Sequence, residues 1–129
     1  MKIYGIGTDI VSIARIQSIW DRFGDAFAKR ILTPNELTEF SKNANPVAFL
    51  AKRFAAKEAF VKALGTGFRR KGLWLTDIGV KNNALGKPEL DLMGFASKEL
   101  KQSGIVEAHL SLSDERDFAV AFVILMSST

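Results

Sequence analysis

The sequence predicts an α+β domain: an N-terminal strand and helices, followed by mostly antiparallel strands with one further helix. Three observations predict it. Residues 2–11 (KIYGIGTDIV) are rich in isoleucine and valine, as a strand is. Residues 46–64 carry apolar side chains at helical spacing for longer than any other segment. Near the end, residues 105–113 alternate apolar and polar, and residues 117–126 (DFAVAFVILM) form the most apolar run. The turn Asp114-Glu115-Arg116 separates them. That last run is the expected central strand.

Composition sets the limits. With 129 residues the chain predicts one domain, 1–129, large enough for a real core. Apolar content of 47% and charged content of 25% argue against disorder. There is no cysteine, which removes disulfides, thiolate metal sites and thiol nucleophiles. No apolar run approaches the roughly 20 residues of a membrane helix, and Asp9 interrupts the N-terminal apolar stretch, so neither a membrane span nor a secretory signal is expected. The expectation is a soluble cytoplasmic protein. Residues 1–72 hold 13 Lys/Arg and 6 Asp/Glu, whereas residues 73–129 hold 5 and 8. A basic first half implies an anionic partner: a phosphorylated small molecule, an acidic protein or nucleic acid.

The elements follow in order. In the first strand, Gly5 and Gly7 flank Ile6. Glycines weaken strands, so two of them imply a bulge or the close approach of another backbone or a ligand. Ser12 can cap a helix over about 13–23, where Ile13, Ile16, Ile19, Trp20 and Phe23 form one apolar face. Gly24 ends it, and a short helical piece with Phe27, Lys29, Arg30 and Ile31 follows. Thr33-Pro34-Asn35-Glu36 is a helix start with a capping box, running to near Lys42. Asn45-Pro46 opens the long helix in the same way. Its expected stripe is Val47, Leu50, Phe54, Val61 and Leu64, with Arg53, Lys57 and Lys62 decorating it and Gly65 terminating it. Residues 66–72 form a glycine- and arginine-rich loop. Residues 73–81 read as a strand, 82–88 as a turn, 89–93 as a strand and 94–103 as a helix stopped by Gly104.

Several residues carry possible chemistry. Glu58 and Lys62 lie four apart, so on a helix they share a face about 5–6 Å apart at Cβ. With Lys57 beside them and Gly65-Thr66-Gly67 just beyond, this is either an anion or metal–phosphate site or an ordinary surface ion pair. Asp9 is a poor strand residue. If buried it needs a partner, either a cation or a backbone N–H. Arg15 and Arg22 lie on a common side of their helix, either simply solvated or forming a docking surface for an acidic partner. His109, the only histidine, is either a plain strand residue or a phosphate contact or acid–base group.

Taken together, GIGTDIVSIARI at the N-terminus and RFAAKEAFVKALGTG at 53–67 resemble the holo-acyl-carrier-protein synthase family of 4′-phosphopantetheinyl transferases. RILTPNEL, LAKRF, GKP and AHLSLSDERDFAVAFVI extend the resemblance over nearly the whole chain. The resemblance implies the phosphopantetheinyl transferase fold, a mostly antiparallel sheet packed on a long central helix, assembled as a homotrimer with active sites between subunits. It implies magnesium-dependent transfer of 4′-phosphopantetheine from coenzyme A to a serine of apo acyl carrier protein, in fatty acid biosynthesis. Asp9 and Glu58 match the family's metal-binding acids, Lys62 its following lysine, and His109 its histidine before the last hairpin. Arg53, Lys62, Gly65, Thr66 and His109 become candidate coenzyme A contacts. Arg15, Arg22, Lys29 and Arg30 become candidates for docking the acidic carrier protein. The larger two-lobed transferases carry a second acid two residues after the first, where this chain has Val11, so the match is to the short type. Relatives often have a small hydroxyl or alanine where this chain has Val61.

Two other readings compete. One is a basic nucleic-acid-binding module, disfavoured because the aromatic residues fall at core spacing rather than on a stacking platform. The other is a different nucleotide phosphotransferase or hydrolase on the same fold.

Overall fold

The computed structural model describes residues 1–67 and 72–129. In chain order these form β1 (Lys2–Ser12), α1 (Ile13–Phe23), α2 (Asp25–Ile31), α3 (Pro34–Phe40), α4 (Pro46–Leu64), a 3-10 turn (Leu75–Asp77), β2 (Ile78–Asn82), β3 (Pro88–Leu92), α5 (Gly94–Gln102), β4 (Ile105–Asp114) and β5 (Phe118–Ser127). β1, β5 and β4 make an antiparallel sheet with β5 in the centre, and β2 and β3 make a separate hairpin. The most apolar strand is therefore the central one, as its composition predicts.

Local chemistry sets the helix ends. The Ser12 side chain accepts the Arg15 N–H at the start of α1. Thr33 and Glu36 close a full capping box around α3. The Asn45 side chain accepts the Ala48 N–H at the start of α4, and Pro46 occupies its first turn. Gly65 ends α4 at φ 84°, a left-handed conformation that a residue with a Cβ adopts only at a cost.

Strand pleating separates the two faces of the large sheet. Val11, Leu110, Ala119, Ala121, Val123 and Leu125 point inward and are buried. They pack with α4, whose Ala59 and Ala63 face β1. The contact with β1 is close enough to exclude side chains: a Cβ on Gly5 would lie 1.9 Å from Ala63 O, and one on Gly7 1.9 Å from Ala59 O. The two glycines thus mark a close backbone approach, and a shift of register between Ile3 and Gly5 also puts a bulge beside the first of them. Ile6, Ile10, Phe118 and Phe122 point to the opposite face and are exposed.

Two expectations need correction. The segment 73–81 is not one strand, since residues 75–77 form a 3-10 turn and pairing begins at Ile78. Leu73 and Leu75 are both buried, so they alternate with their neighbours as a strand would, but among the described residues neither pairs in a sheet. α4 is also not a stripe with basic residues on its surface. It is buried on most sides, and Arg53 and Lys57 are interior, at 4% and 0% exposure. Only Lys62 remains on the surface. Among the described residues no helix is long and apolar enough to cross a membrane.

Candidate active site

Asp9 comes from the inward-facing set of β1, opposite Ala121 in the ladder. It therefore looks toward α4, whose fourth turn carries Glu58 and whose last turn carries Lys62. The close glycine contact brings β1 onto this stretch of helix. Lys62 Nζ donates to Asp9 Oδ1 at 3.0 Å and to Thr8 O at 3.0 Å. Asp9 is largely covered, its side chain 15% exposed, whereas that of Lys62 is 54% exposed.

Glu58 is half-buried in the same cluster. Burial, and next the negative charge of Asp9, push its carboxyl above the usual glutamate range; Lys62 and Arg15 pull the other way. A carboxylate whose ionisation is opposed by a second one beside it favours a cation between the two. The donor set suits magnesium, which takes hard oxygen ligands and usually needs only one or two protein carboxylates beside water and phosphate oxygens. Among the described residues no group of three or more His, Cys, Asp or Glu forms a denser metal site.

Asp9 and Glu58 line a cavity of about 440 Å³ with Ser12, Arg15, Ile16 and Phe118. Ile19, Phe27 and Phe54 form a wall that this cavity shares with an apolar groove of about 510 Å³, whose lining includes Phe23, Arg30 and Trp74. Arg15, expected on a docking face, also stands at the acid site. Its position is legible in retrospect: it lies in the first turn of the helix that follows the strand carrying Asp9. Arg22, Lys29 and Arg30 are exposed nearby on α1 and α2.

Other expected residues stand elsewhere within the chain. His109 is on the outer face of the sheet, in register with Ile124 and so in the row of Ile6, and its Nε2 lies 3.0 Å from Glu107 Oε2. α4 covers the other face. Arg53 donates to Glu39 Oε2 at 3.2 Å, stands over the Phe49 ring and lines a polar cavity of about 290 Å³ with Lys52, Asn43, Asn82 and Asp114. One chain therefore does not bring Arg53 or His109 to Asp9 and Glu58. Gly65, Thr66 and Gly67 form the turn after α4, with Gly67 also left-handed at φ 75°. The arginines and lysine of the following loop, 69–71, lie outside the described residues.

No sequence signal marks the Glu36–Lys57 pair. Lys57 Nζ donates to Glu36 Oε1 at 2.7 Å, to Leu75 O at 3.1 Å and to Ile78 O. Burial lowers the Lys57 pKa and Glu36 opposes that shift. Its partners come from residues far along the chain, so no local pattern announces it.

The profile of the 4′-phosphopantetheinyl transferase superfamily matches residues 5–123. The chain is 54% identical over 123 residues to the holo-[acyl-carrier-protein] synthase of Dechloromonas aromatica, covering 95% of this chain and 97% of the relative. The crystal structure of the Neisseria meningitidis holo-[acyl-carrier-protein] synthase superimposes with a TM-score of 0.90 at 55% identity, over 97% of this chain and 99% of that one. The Helicobacter pylori synthase, solved in complex with coenzyme A, superimposes with a TM-score of 0.81 at 33% identity, over 94% and 99%. A site built from an acid on the first strand and an acid and a lysine on the long helix, and sequence and structural likeness over almost the full length, lead to one assignment: the chain belongs to the 4′-phosphopantetheinyl transferase superfamily, among its holo-[acyl-carrier-protein] synthases.

Proposed function

We propose that this protein transfers 4′-phosphopantetheine from coenzyme A to a serine of apo acyl carrier protein in the cavity of Asp9 and Glu58. The observation that carries the reading is the meeting of these two carboxylates, from β1 and α4, with Lys62 on Asp9. A relative of known structure binds coenzyme A, which supports the donor.

In the transfer, the serine oxygen bonds to the phosphorus that carries pantetheine. The bond from that phosphorus to the bridging pyrophosphate oxygen breaks, and adenosine 3′,5′-bisphosphate leaves. The serine proton passes to Glu58 or to a water beside it. Such reactions depend mainly on positioning and charge neutralisation. Asp9 and Glu58 would hold magnesium, which when bound polarises the phosphoryl group and offsets the pyrophosphate charge. Lys62, with its side chain more than half exposed, can leave Asp9 for a phosphate oxygen as the leaving group gains charge. Arg15 adds positive potential at the cavity mouth.

The assembly is a homotrimer with sites between subunits. In support, the outer sheet face exposes Ile6, Ile10, Phe118 and Phe122 side by side, an apolar patch of the kind that marks an interface. His109 lies on that same face, and Arg53 lines a polar cavity away from the acids. A neighbouring copy is therefore the route by which either could reach coenzyme A, with the Gly65-Thr66 turn closing on the cofactor from the chain that supplies the acids. Arg30 lines the apolar groove, Arg15 lines the acid cavity, and Arg22 and Lys29 are exposed on α1 and α2; together they suit an acidic carrier protein. Their charge acts mainly on the association rate.

Intact mass spectrometry of apo acyl carrier protein, incubated with this protein, coenzyme A and magnesium, tests the reading. One added phosphopantetheine is expected, absent with chelator and absent with Asp9→Ala or Glu58→Ala. Activity in either variant refutes the metal assignment. The native-mass spectrum of the enzyme in the same experiment reads the subunit count, and a monomer contradicts the trimer.

A further inference from the structure

We infer that Lys57, locked to Glu36 and to the backbone of the 3-10 turn and β2, is a positioning residue that fixes the rotation of α4 and so aims Glu58 at Asp9. The inference rests on the site reading above.

Every hydrogen-bonding group of the pair is used. An ammonium has three N–H donors, and here they meet acceptors from three elements: Glu36 Oε1 of α3, Leu75 O of the 3-10 turn and Ile78 O of β2. Glu36 Oε1 also accepts the Thr33 N–H at 3.0 Å, and Glu36 Oε2 accepts the Val80 N–H at 3.0 Å. The side chains are 0% and 1% exposed. One lysine thus ties the long helix to α3, the 3-10 turn and β2.

Stability alone does not require an ion pair there. Well-packed apolar residues in place of a buried pair are often as stable or more so. Apolar contacts tolerate sliding, however, whereas three directed hydrogen bonds specify both rotation and translation. On the other side of α4, Gly5 and Gly7 set only how closely β1 approaches Ala63 and Ala59. A smooth backbone contact of this kind fixes distance better than angle. Glu58 follows Lys57 directly, about 100° further round the helix and 1.5 Å along it. Any rotation that frees Lys57 therefore swings Glu58 away from Asp9, and a misplacement of about 1 Å can cost a hundredfold in rate.

The test compares Lys57→Met with wild type under conditions where circular dichroism shows both folded. Expected are a kcat lower by about tenfold to a hundredfold, a weaker affinity of the substrate-free protein for Mn²⁺, and an unchanged KM for the carrier protein. A folded Lys57→Met with wild-type kcat and Mn²⁺ affinity, and only a lower Tm, overturns the inference. If Lys57→Met does not fold, Glu36→Gln carries the same criteria, because it keeps an oxygen for Val80 N–H but removes the charge facing Lys57. Leu32→Ala, a core truncation between α2 and α3, should lower Tm with kcat and Mn²⁺ affinity intact. Equal losses there would show that the site merely follows stability. Glu58→Ala separates the two levels. If it keeps Mn²⁺ affinity and transfer, the site reading fails. If it loses both while Lys57→Met keeps both, only the positioning role fails.

Discussion

Lys57 and Lys62 lie five residues apart on one helix, and each holds a carboxylate at hydrogen-bonding distance, 2.7 Å and 3.0 Å. Their surroundings differ in every other respect. The Lys57 side chain is 0% exposed and its partner Glu36 is satisfied on both oxygens. Lys62 is 54% exposed, and beside its partner Asp9 stands a second acid, Glu58, with a raised pKa. The first pair is complete and closed. The second has more negative charge than the lysine covers, and it opens onto a cavity. The same chemical pair therefore serves as a fixed joint where every donor and acceptor is matched, and as a reactive site where the matching is left for substrate and metal to finish.

The largest effect should come from breaking the closed pair on one side. Glu36→Ala leaves the Lys57 ammonium buried without its counter-charge, and such losses run to about 3–5 kcal/mol. Urea denaturation at neutral pH measures it, and a loss below about 1 kcal/mol would mean that Lys57 behaves like a surface lysine. The pH dependence adds a second check. Burial already lowers the Lys57 pKa, and Glu36 is the main opposing influence. Without Glu36 the folded-state pKa falls further below the unfolded value. The unfolded chain then binds more protons than the folded one in that window, so stability of the variant rises with pH toward the alkaline side. It should rise more steeply than in the wild type.

A smaller effect of opposite sign is expected at the open site. The folded-state pKa of Glu58 lies above its unfolded value, through burial first and Asp9 second. The folded protein therefore holds the proton more tightly, and stability falls as pH climbs from the ordinary glutamate value through the raised one. Glu58→Gln removes that penalty. In chelator the variant should melt a few degrees above wild type at pH 7–8 and level with it near pH 4. Added magnesium should close the gap, because only the wild type gains from binding. Equal melting of the two proteins across the pH series would show that the acids do not strain each other.

The difference between the two pairs also explains what the sequence could disclose. The capping residues Ser12, Thr33 with Glu36, and Asn45 act on neighbours three residues away, so their pattern is local and was readable. Gly5 and Gly7 announced a close approach without naming Ala59 and Ala63 as the partners, because that depends on how β1 lies across α4. Asp9, Glu58 and Lys62 were picked out by residue type and spacing together with the family resemblance; the hydrogen bond from Lys62 to Asp9 needed the fold. Lys57 carries the sequence pattern of a surface residue, a lysine at helical spacing near an arginine and beside a glutamate. Its burial depends on Glu36 in another helix and on carbonyls at 75 and 78. Leu73 and Leu75 misled the strand assignment, since two buried residues separated by one satisfy a period of two without any neighbouring strand.

The smallest effect on stability belongs to Lys62, and it is the sharpest test of the contrast. An exposed ion pair contributes about 0–1 kcal/mol, because water already solvates the ammonium and holding the long side chain still costs entropy. Lys62→Met should therefore unfold in urea within about 0.5 kcal/mol of wild type. The small difference should shrink further in 1 M salt, where screening acts within about 3 Å. Transfer of phosphopantetheine should nevertheless slow, with the loss in kcat rather than in the carrier-protein KM, since Lys62 acts on charge that develops only as the pyrophosphate bond breaks. A large loss of stability, or an unchanged kcat, would place Lys62 in the same class as Lys57 and remove the distinction between the two pairs.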